Sequence, residues 1–305
     1  ESQVITDKVN NIILESEDLF QENFILYRIK DISNIEKDTL IDRGIISNKF
    51  STNEVGAIII NKDKTKCILI NDEDHIKIKV YEDQFNVDEA FNFANKVDDI
   101  LGEKLDFAFN EKLGYLTCCP VNAGTGLKTS IIVHLPILSF QKKIDTYSNI
   151  AHKLGANIKS ISNGKSSTLG NMFEISNQSV IGRSEKNIVE SIKSLTKDIK
   201  TKEKEARNIV KLEASIELED EIYRSLGILQ NARILSVQEA MKHLSNIKLG
   251  IEMDYIEDIN IEKIISLMRG IKPSMRLMSQ ATGDSDIKRA EFLRNEFSLA
   301  NRNKK

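Results

Sequence analysis

The hydrophobic pattern of this chain loses its strand signals after Ser184, and that change constrains the fold more than any other feature. Ala57 to Ile60 and Cys67 to Ile70 are continuous apolar, β-rich runs on either side of Asn61-Lys62-Asp63-Lys64, which predicts a hairpin. His75 to Val80 then alternates, with Ile76, Ile78 and Val80 on one face and His75, Lys77 and Lys79 on the other. After Ser184 the strand signals fade. Ile188, Ile192, Leu195 and Ile199 open a helical stripe, and three- and four-residue steps continue through Ile209, Leu212, Ile216, Ile222 and Leu226 towards Phe297.

The remaining segments fit this division. Residues 1–50 read as helical segments. Ala90, Ala94, Val97, Leu101 and Leu105 mark an amphipathic helix over 87–105. Residues 129–138 predict a strand ending near Pro136, and the polar, Gly/Ser-rich stretch 157–170 predicts a loop. The pattern predicts a mixed α/β domain over 1–205 and a helical domain over 206–305. The Lys-rich stretch 197–204 contains Asp198 and Glu203, with Glu205 just beyond, and reads as a solvated helix face rather than a nucleic-acid patch.

Composition narrows the function. With 305 residues, 29% charged and a net charge of −3, the chain is not disordered and gives no reason to expect direct nucleic-acid or anionic-membrane binding. No stretch has the apolar length of a membrane span, and residues 1–20 lack the pattern of a signal peptide. Cys67, Cys118 and Cys119 form no metal or disulfide framework, which points to a reducing cytoplasm. His75, His134, His152 and His243 have no ligand spacing, so no protein-held metal is expected.

Two segments carry chemistry. In Asn71-Asp72-Glu73-Asp74-His75-Ile76-Lys77, an extended backbone would put Glu73, His75 and Lys77 on one face. A carboxylate and a cation there can hold a guanidinium and a phosphate side by side; the same pattern also suits an ordinary charged strand edge. In Gly114-Tyr115-Leu116-Thr117-Cys118-Cys119-Pro120-Val121-Asn122-Ala123-Gly124-Thr125-Gly126-Leu127-Lys128, a cysteine precedes a Gly-rich turn and a cation precedes a strand. Glycines let backbone N–H groups approach phosphate oxygens, and a cysteine beside cations titrates more easily to thiolate. A buried cysteine in a turn is the plainer alternative. Gly164-Lys165-Ser166 resembles the end of a P-loop, but Lys159 stands where that motif needs its first glycine.

Together these segments resemble the ATP:guanidino phosphotransferases, whose patterns are Asn-Glu-Glu-Asp-His-x-Arg and Gly-Tyr-Leu-Thr-x-Cys-Pro-x-Asn-x-Gly-Thr-x-x-Arg. Lys96-Val97-Asp98-Asp99, Leu105-Asp106-Phe107-Ala108-Phe109, His134-Leu135-Pro136, Gly170-Asn171-Met172-Phe173-Glu174-Ile175-Ser176-Asn177-Gln178 and Tyr223-Arg224-Ser225-Leu226-Gly227-Ile228-Leu229-Gln230-Asn231-Ala232-Arg233 are similar to the bacterial protein-arginine kinase branch. The resemblance covers nearly the whole chain in order. It implies an α+β catalytic core, a curved antiparallel sheet flanked by helices, followed by an α-helical C-terminal domain that dimerises. It implies transfer of the γ-phosphoryl group of ATP, with Mg2+, to arginine side chains of proteins. It also implies work with the Clp protease machinery and a heat-shock repressor.

Carried over residue by residue, the resemblance makes Glu73 the first substrate carboxylate and Cys119 the active-site cysteine. His75, Gly124 and Gly126 fall on the nucleotide side. Lys77, Lys128 and Lys159 stand where the family has arginine. The second carboxylate falls on Gly164, and 157–170 contains no Asp or Glu. The family's Ser-x-Arg-x-Arg segment would lie before residue 1. Ser285-Asp286-Ile287-Lys288-Arg289-Ala290 resembles the family's phosphoarginine-binding Arg-Asp-x-x-Arg-Ala, with Ser285 for the first arginine; a charged face on the last helix is the other reading. Two functions therefore stand foremost: a kinase with a substituted site, and a degenerate kinase acting as a scaffold or phosphoarginine reader; a small-molecule guanidino kinase is disfavoured by the C-terminal resemblance to the protein-kinase branch.

Overall fold

A computed structural model of the chain describes residues 2–162, 168–178, 182–271 and 285–300. In chain order the elements are α1 (Ser2–Glu15), β1 (Ile25–Arg28), α2 (Asn34–Asp42), α3 (Asn48–Ser51), β2 (Ala57–Ile60), β3 (Lys66–Ile70), β4 (Ile76–Val80) and α4 (Val87–Gly102). Then come β5 (Phe109–Asn110), β6 (Gly114–Tyr115), β7 (Ser130–His134), α5 (Pro136–Phe140), α6 (Ile144–Lys153), β8 (Ala156–Ser160) and β9 (Met172–Asn177). Among the described residues five helices follow: α7 (Glu185–Glu213), α8 (Ser215–Asn231), α9 (Val237–Glu252), α10 (Ile261–Gly270) and α11 (Ser285–Ala300). The class is α+β, with antiparallel sheets followed by a helical C-terminal region.

The chain forms two compact units. The first comprises residues 1–129 and 177–193. Its sheet has the order β1-β2-β3-β4, antiparallel throughout, with Ile58 opposite Leu69 and Ile68 opposite Ile78. Both faces are covered, which is why β2 and β3 read as continuous apolar runs. Ala57, Ile59, Ile68 and Ile70 pack with Val9, Ile12 and Ile13 of α1 and Val97 and Leu101 of α4. On the other face Ile58, Ile60, Cys67 and Leu69 pack with Ile29, Leu40, Ile45 and Phe50.

The second unit comprises residues 130–176 and 194–305. It contains a sheet of order β7-β9-β8 and a helical core in which Ile222 and Leu229 of α8 meet Leu244 and Ile247 of α9, Ile264 of α10 and Leu293 of α11.

Four local expectations change. Residues 1–50 are not all helical, because Ile25 to Arg28 form edge strand β1; four residues are too few to show a period, and pairing with β2 decides them. The 157–170 stretch begins inside strand β8, where Ala156 and Ile158 point into the interior between exposed or half-buried polar residues. The 129–138 strand stops at His134, and Pro136 starts α5 as its first residue, where a missing N–H costs nothing. The 197–204 face is not wholly solvated: the lysines are exposed, but Glu203 is only 3% exposed.

Candidate active site

The first motif is a turn rather than an extended strand. Asn71 adopts φ +59 and residues 71–75 bend before β4 begins at Ile76. Asn71 anchors this turn. Its Nδ2 donates to the carbonyls of Ser2 (3.1 Å) and Val55 (3.3 Å), and its carbonyl accepts from Asn53 Nδ2 (2.7 Å). His75 Nδ1 lies 3.3 Å from Asn71 Oδ1, so this histidine supports the turn. The turn brings the charges of the motif together without a shared strand face. Lys77 Nζ lies 3.0 Å from Asp72 Oδ2 and 3.7 Å from Glu73 Oε2. Glu73 is the more exposed of the two carboxylates and so the more available to a ligand.

Asp74 joins this turn to the second motif. Its Oδ1 accepts the backbone N–H of Cys119 (3.0 Å), and its Oδ2 accepts Asn122 Nδ2 (2.6 Å). One carboxylate thereby ties the residue after Glu73 to the loop bearing Cys119. Asp74, Asn122 and Asn71 lie within the quoted motifs, but polar spacing alone gives them no role; only the folded contacts do.

The glycine loop is built for close backbone approach. Gly114 has φ +78, and a Cβ there would stand 2.9 Å from the Cα of Gly124. That proximity allows Tyr115 and Gly124 to exchange two backbone hydrogen bonds of 3.0 Å. Gly124 (φ +109) and Gly126 (φ +64) occupy the region that favours glycine. Thr117 Oγ donates to the Cys119 carbonyl at 2.7 Å, fixing the backbone around the cysteine. Cys119 is half-buried and Cys118 exposed.

Positive charge gathers beside this loop. Burial pulls the Lys79 ammonium below its ordinary pKa, Lys77 and Lys128 push the same way, and Cys67 and Asp72 oppose them. Lys79 is held at the carbonyl of Ile45 (2.7 Å), as Lys77 is by Asp72 (3.0 Å).

The first unit thus contains Glu73, His75, Lys77, Cys119, Gly124, Gly126 and Lys128. Lys159 lies exposed on β8 in the second unit. Gly164, and with it the Gly164-Lys165-Ser166 stretch, lies outside the described residues. Asp286 lies in the first turn of α11 and Arg289, 8% exposed, begins the next. Its guanidinium donates to the carbonyls of Leu235 (2.7 Å) and Ile271 (3.2 Å) and to Asp286 Oδ1 (2.6 Å). These partners hold Arg289 internally in this conformation.

Comparison with known proteins bears on the whole chain. Residues 4–206 match the family described as ATP:guanido phosphotransferase, C-terminal catalytic domain, and residues 215–305 match the protein-arginine kinase McsB C-terminal domain. A protein-arginine kinase of Clostridium tetani is 35% identical over 302 residues, 97% of this chain and 88% of that protein. One from Bacillus subtilis is 35% identical over 306 residues, covering 96% and 84%. Among solved structures, lombricine kinase gives a TM-score of 0.56 at 24% identity, over 69% of this chain and 60% of that one. A duplicated taurocyamine kinase from Schistosoma mansoni gives 0.62 at 15% identity, over 92% of this chain and 43% of that one. These two structural likenesses speak to the fold.

Proposed function

The chain belongs to the protein-arginine kinases of the ATP:guanido phosphotransferase family, and from that premise we propose that it transfers the γ-phosphoryl group of ATP to arginine side chains of proteins through a lysine-substituted site. The observation that carries this reading is the double hydrogen bond of Asp74, which joins the Glu73 turn to the Cys119 loop. Phosphoryl transfer is mostly positioning and charge neutralisation, and a rigid joint between a carboxylate and a thiol serves the first need. In this reading Glu73 accepts the guanidinium, Cys119 sits beside it as thiolate, and Gly124 and Gly126 admit phosphate oxygens to backbone N–H groups. Lys77, Lys128 and Lys159 neutralise phosphate charge.

The residues of the first unit fit a nucleotide phosphate, because positive-φ Gly124 and Gly126 share it with Lys77 and Lys128. Mg2+ would supply charge neutralisation. The same resemblance extends the proposal to a cytoplasmic homodimer that works with the Clp machinery and a heat-shock repressor. The two family matches part between residues 206 and 215, which supports a functional boundary near residue 205.

A second reading, a scaffold that has lost catalysis, is favoured by Lys77. Its charge is met by Asp72 at 3.0 Å, and lysine lacks the planar fork that grips two phosphate oxygens. The phosphoarginine-reader form of that reading needs the Arg289 donors to leave Leu235 and Ile271.

The deciding experiment is transfer of labelled γ-phosphate from Mg-ATP to an arginine-rich protein, read as an acid-labile signal, with Glu73→Ala as control. Signal that disappears in the control supports the kinase. No signal from the wild-type chain, alone or with partner proteins, supports the scaffold.

A further inference from the structure

Helix α9 meets the end of the β8–β9 connection at three consecutive residues. Leu169 is 2% exposed and belongs to the same core as Met241, Leu244 and Met268. Gly170 has φ +58, and a Cβ there would lie 2.9 Å from the Met241 carbonyl oxygen, so only glycine permits this approach. Asn171 has φ +53 and donates from Nδ2 to Ser245 Oγ at 3.0 Å. Ser245 is 0% exposed, and its Oγ also lies 2.8 Å from Nε2 of His134, the last residue of β7. Asn171 completes the circuit by accepting the Leu135 N–H at 3.0 Å.

One buried hydroxyl thus holds both the exit of the connection and the end of the strand paired with β9. The connection closes just above this point: Leu169 N–H donates to Ile161 O (2.7 Å), and Ile161 N–H donates to Met172 O (3.0 Å). Lys159 lies two residues before Ile161. Apolar contact from Leu169 gives adhesion but little register, whereas directional hydrogen bonds between buried groups fix register. Ser245 belongs to the segment matched to the C-terminal family, and the strands it holds belong to the segment matched to the catalytic family.

We propose that Ser245 is a positioning residue for phosphoryl transfer: through Asn171 and His134 it fixes the base of the β8–β9 connection on α9 and so sets the placement of Lys159. The inference deepens the proposed function and rests on its reading of Lys159 as a phosphate-neutralising cation. It gives the C-terminal helical region a direct part in shaping the catalytic segment.

The test uses the full chain and two variants, Ser245→Ala and Asn171→Gly. The second keeps the positive φ and removes only the amide, so it decides the matter should the first fail to fold. Hydrogen exchange at the amides of Ile161, Leu169 and Met172 is followed alongside transfer kinetics with Mg-ATP and an arginine-rich protein. Exchange at these amides should rise about tenfold while β2–β4 stay protected, and kcat should fall about tenfold with KM changed less than about twofold. Unchanged exchange, or raised exchange with unchanged kcat, overturns the proposal. A wild-type chain without transfer instead rejects the kinase reading and the role given to Lys159; the exchange data then decide by themselves whether Ser245 holds the connection.

Discussion

Asp74 Oδ1 accepts the backbone N–H of Cys119 at 3.0 Å while its second oxygen accepts Asn122 Nδ2 at 2.6 Å. The spacing between the two motifs is thus set by one carboxylate that need not touch substrate. Asp74→Ala should lower kcat for arginine phosphorylation by about 100-fold, the scale of a displacement near 1 Å at a reacting centre. Steady-state kinetics with a thermal melt of the variant would check this. A folded variant with wild-type kcat would mean the two motifs hold their places without the joint.

The lysine substitutions give a gain-of-function test. Lys77→Arg combined with Lys128→Arg restores two guanidinium forks and should raise kcat/KM by about tenfold. Initial rates at varied Mg-ATP would show it. A lower rate in the double variant would mean that the surrounding side chains have adapted to lysine.

His134 makes stability depend on pH. Burial, with smaller contributions from Lys248 and Arg207, outweighs Glu252 and pulls its pKa from 6.5 to about 4. Its Nδ1 stands 3.8 Å from Glu252, an ion-pair distance too long for a hydrogen bond. Burial alone would raise the Glu252 carboxyl, but His134, Lys248 and Arg207 around it hold it well below the usual carboxylate range. The folded state favours neutral His134, so its contribution is complete above pH 6.5 and is lost as pH falls from 6.5 towards about 4. The loss is on the order of 3 kcal/mol. Melting curves of wild type and His134→Gln across that window should diverge in slope, and parallel curves would reject the assignment.

Glu203 accepts from the N–H groups of Ile137 (3.1 Å) and Leu138 (2.9 Å) in the first turn of α5, and from Arg207 Nε at 2.8 Å. Glu203→Ala leaves two buried amides and a guanidinium without this acceptor. The expected loss is about 3–5 kcal/mol, measurable by urea unfolding. A loss under about 1 kcal/mol would show that water or Glu252 takes over.

Arg289 separates a fold role from a ligand role. Arg289→Ala removes the donors to Leu235, Ile271 and Asp286 and should destabilise the chain by about 3 kcal/mol. If the variant instead melts with wild type while calorimetry shows lost phosphoarginine binding, the guanidinium serves a ligand.

Much of the fold was legible because period and burial coincide over long segments. The β2–β3 hairpin, the β4 alternation and the helices after residue 184 carry enough apolar residues for local pattern to decide them. β1 and β8 were not legible, since four or five residues cannot establish a period before a neighbouring strand supplies the hydrogen bonds. Among the site residues, Glu73 and Cys119 stood out by chemistry within their motifs. Asp74, Asn122 and Ser245 did not, because a hydroxyl or carboxylate acquires a positioning role only from the partner it meets 45, 48 or 74 residues away. The sequence by itself determined the class, through the hydrophobic pattern of its long segments, and the family, through the resemblance of its motifs. Tertiary structure alone decided that Arg289 and Glu203 are buried staples, because long-range packing, not residue type, determines which charges lose their water.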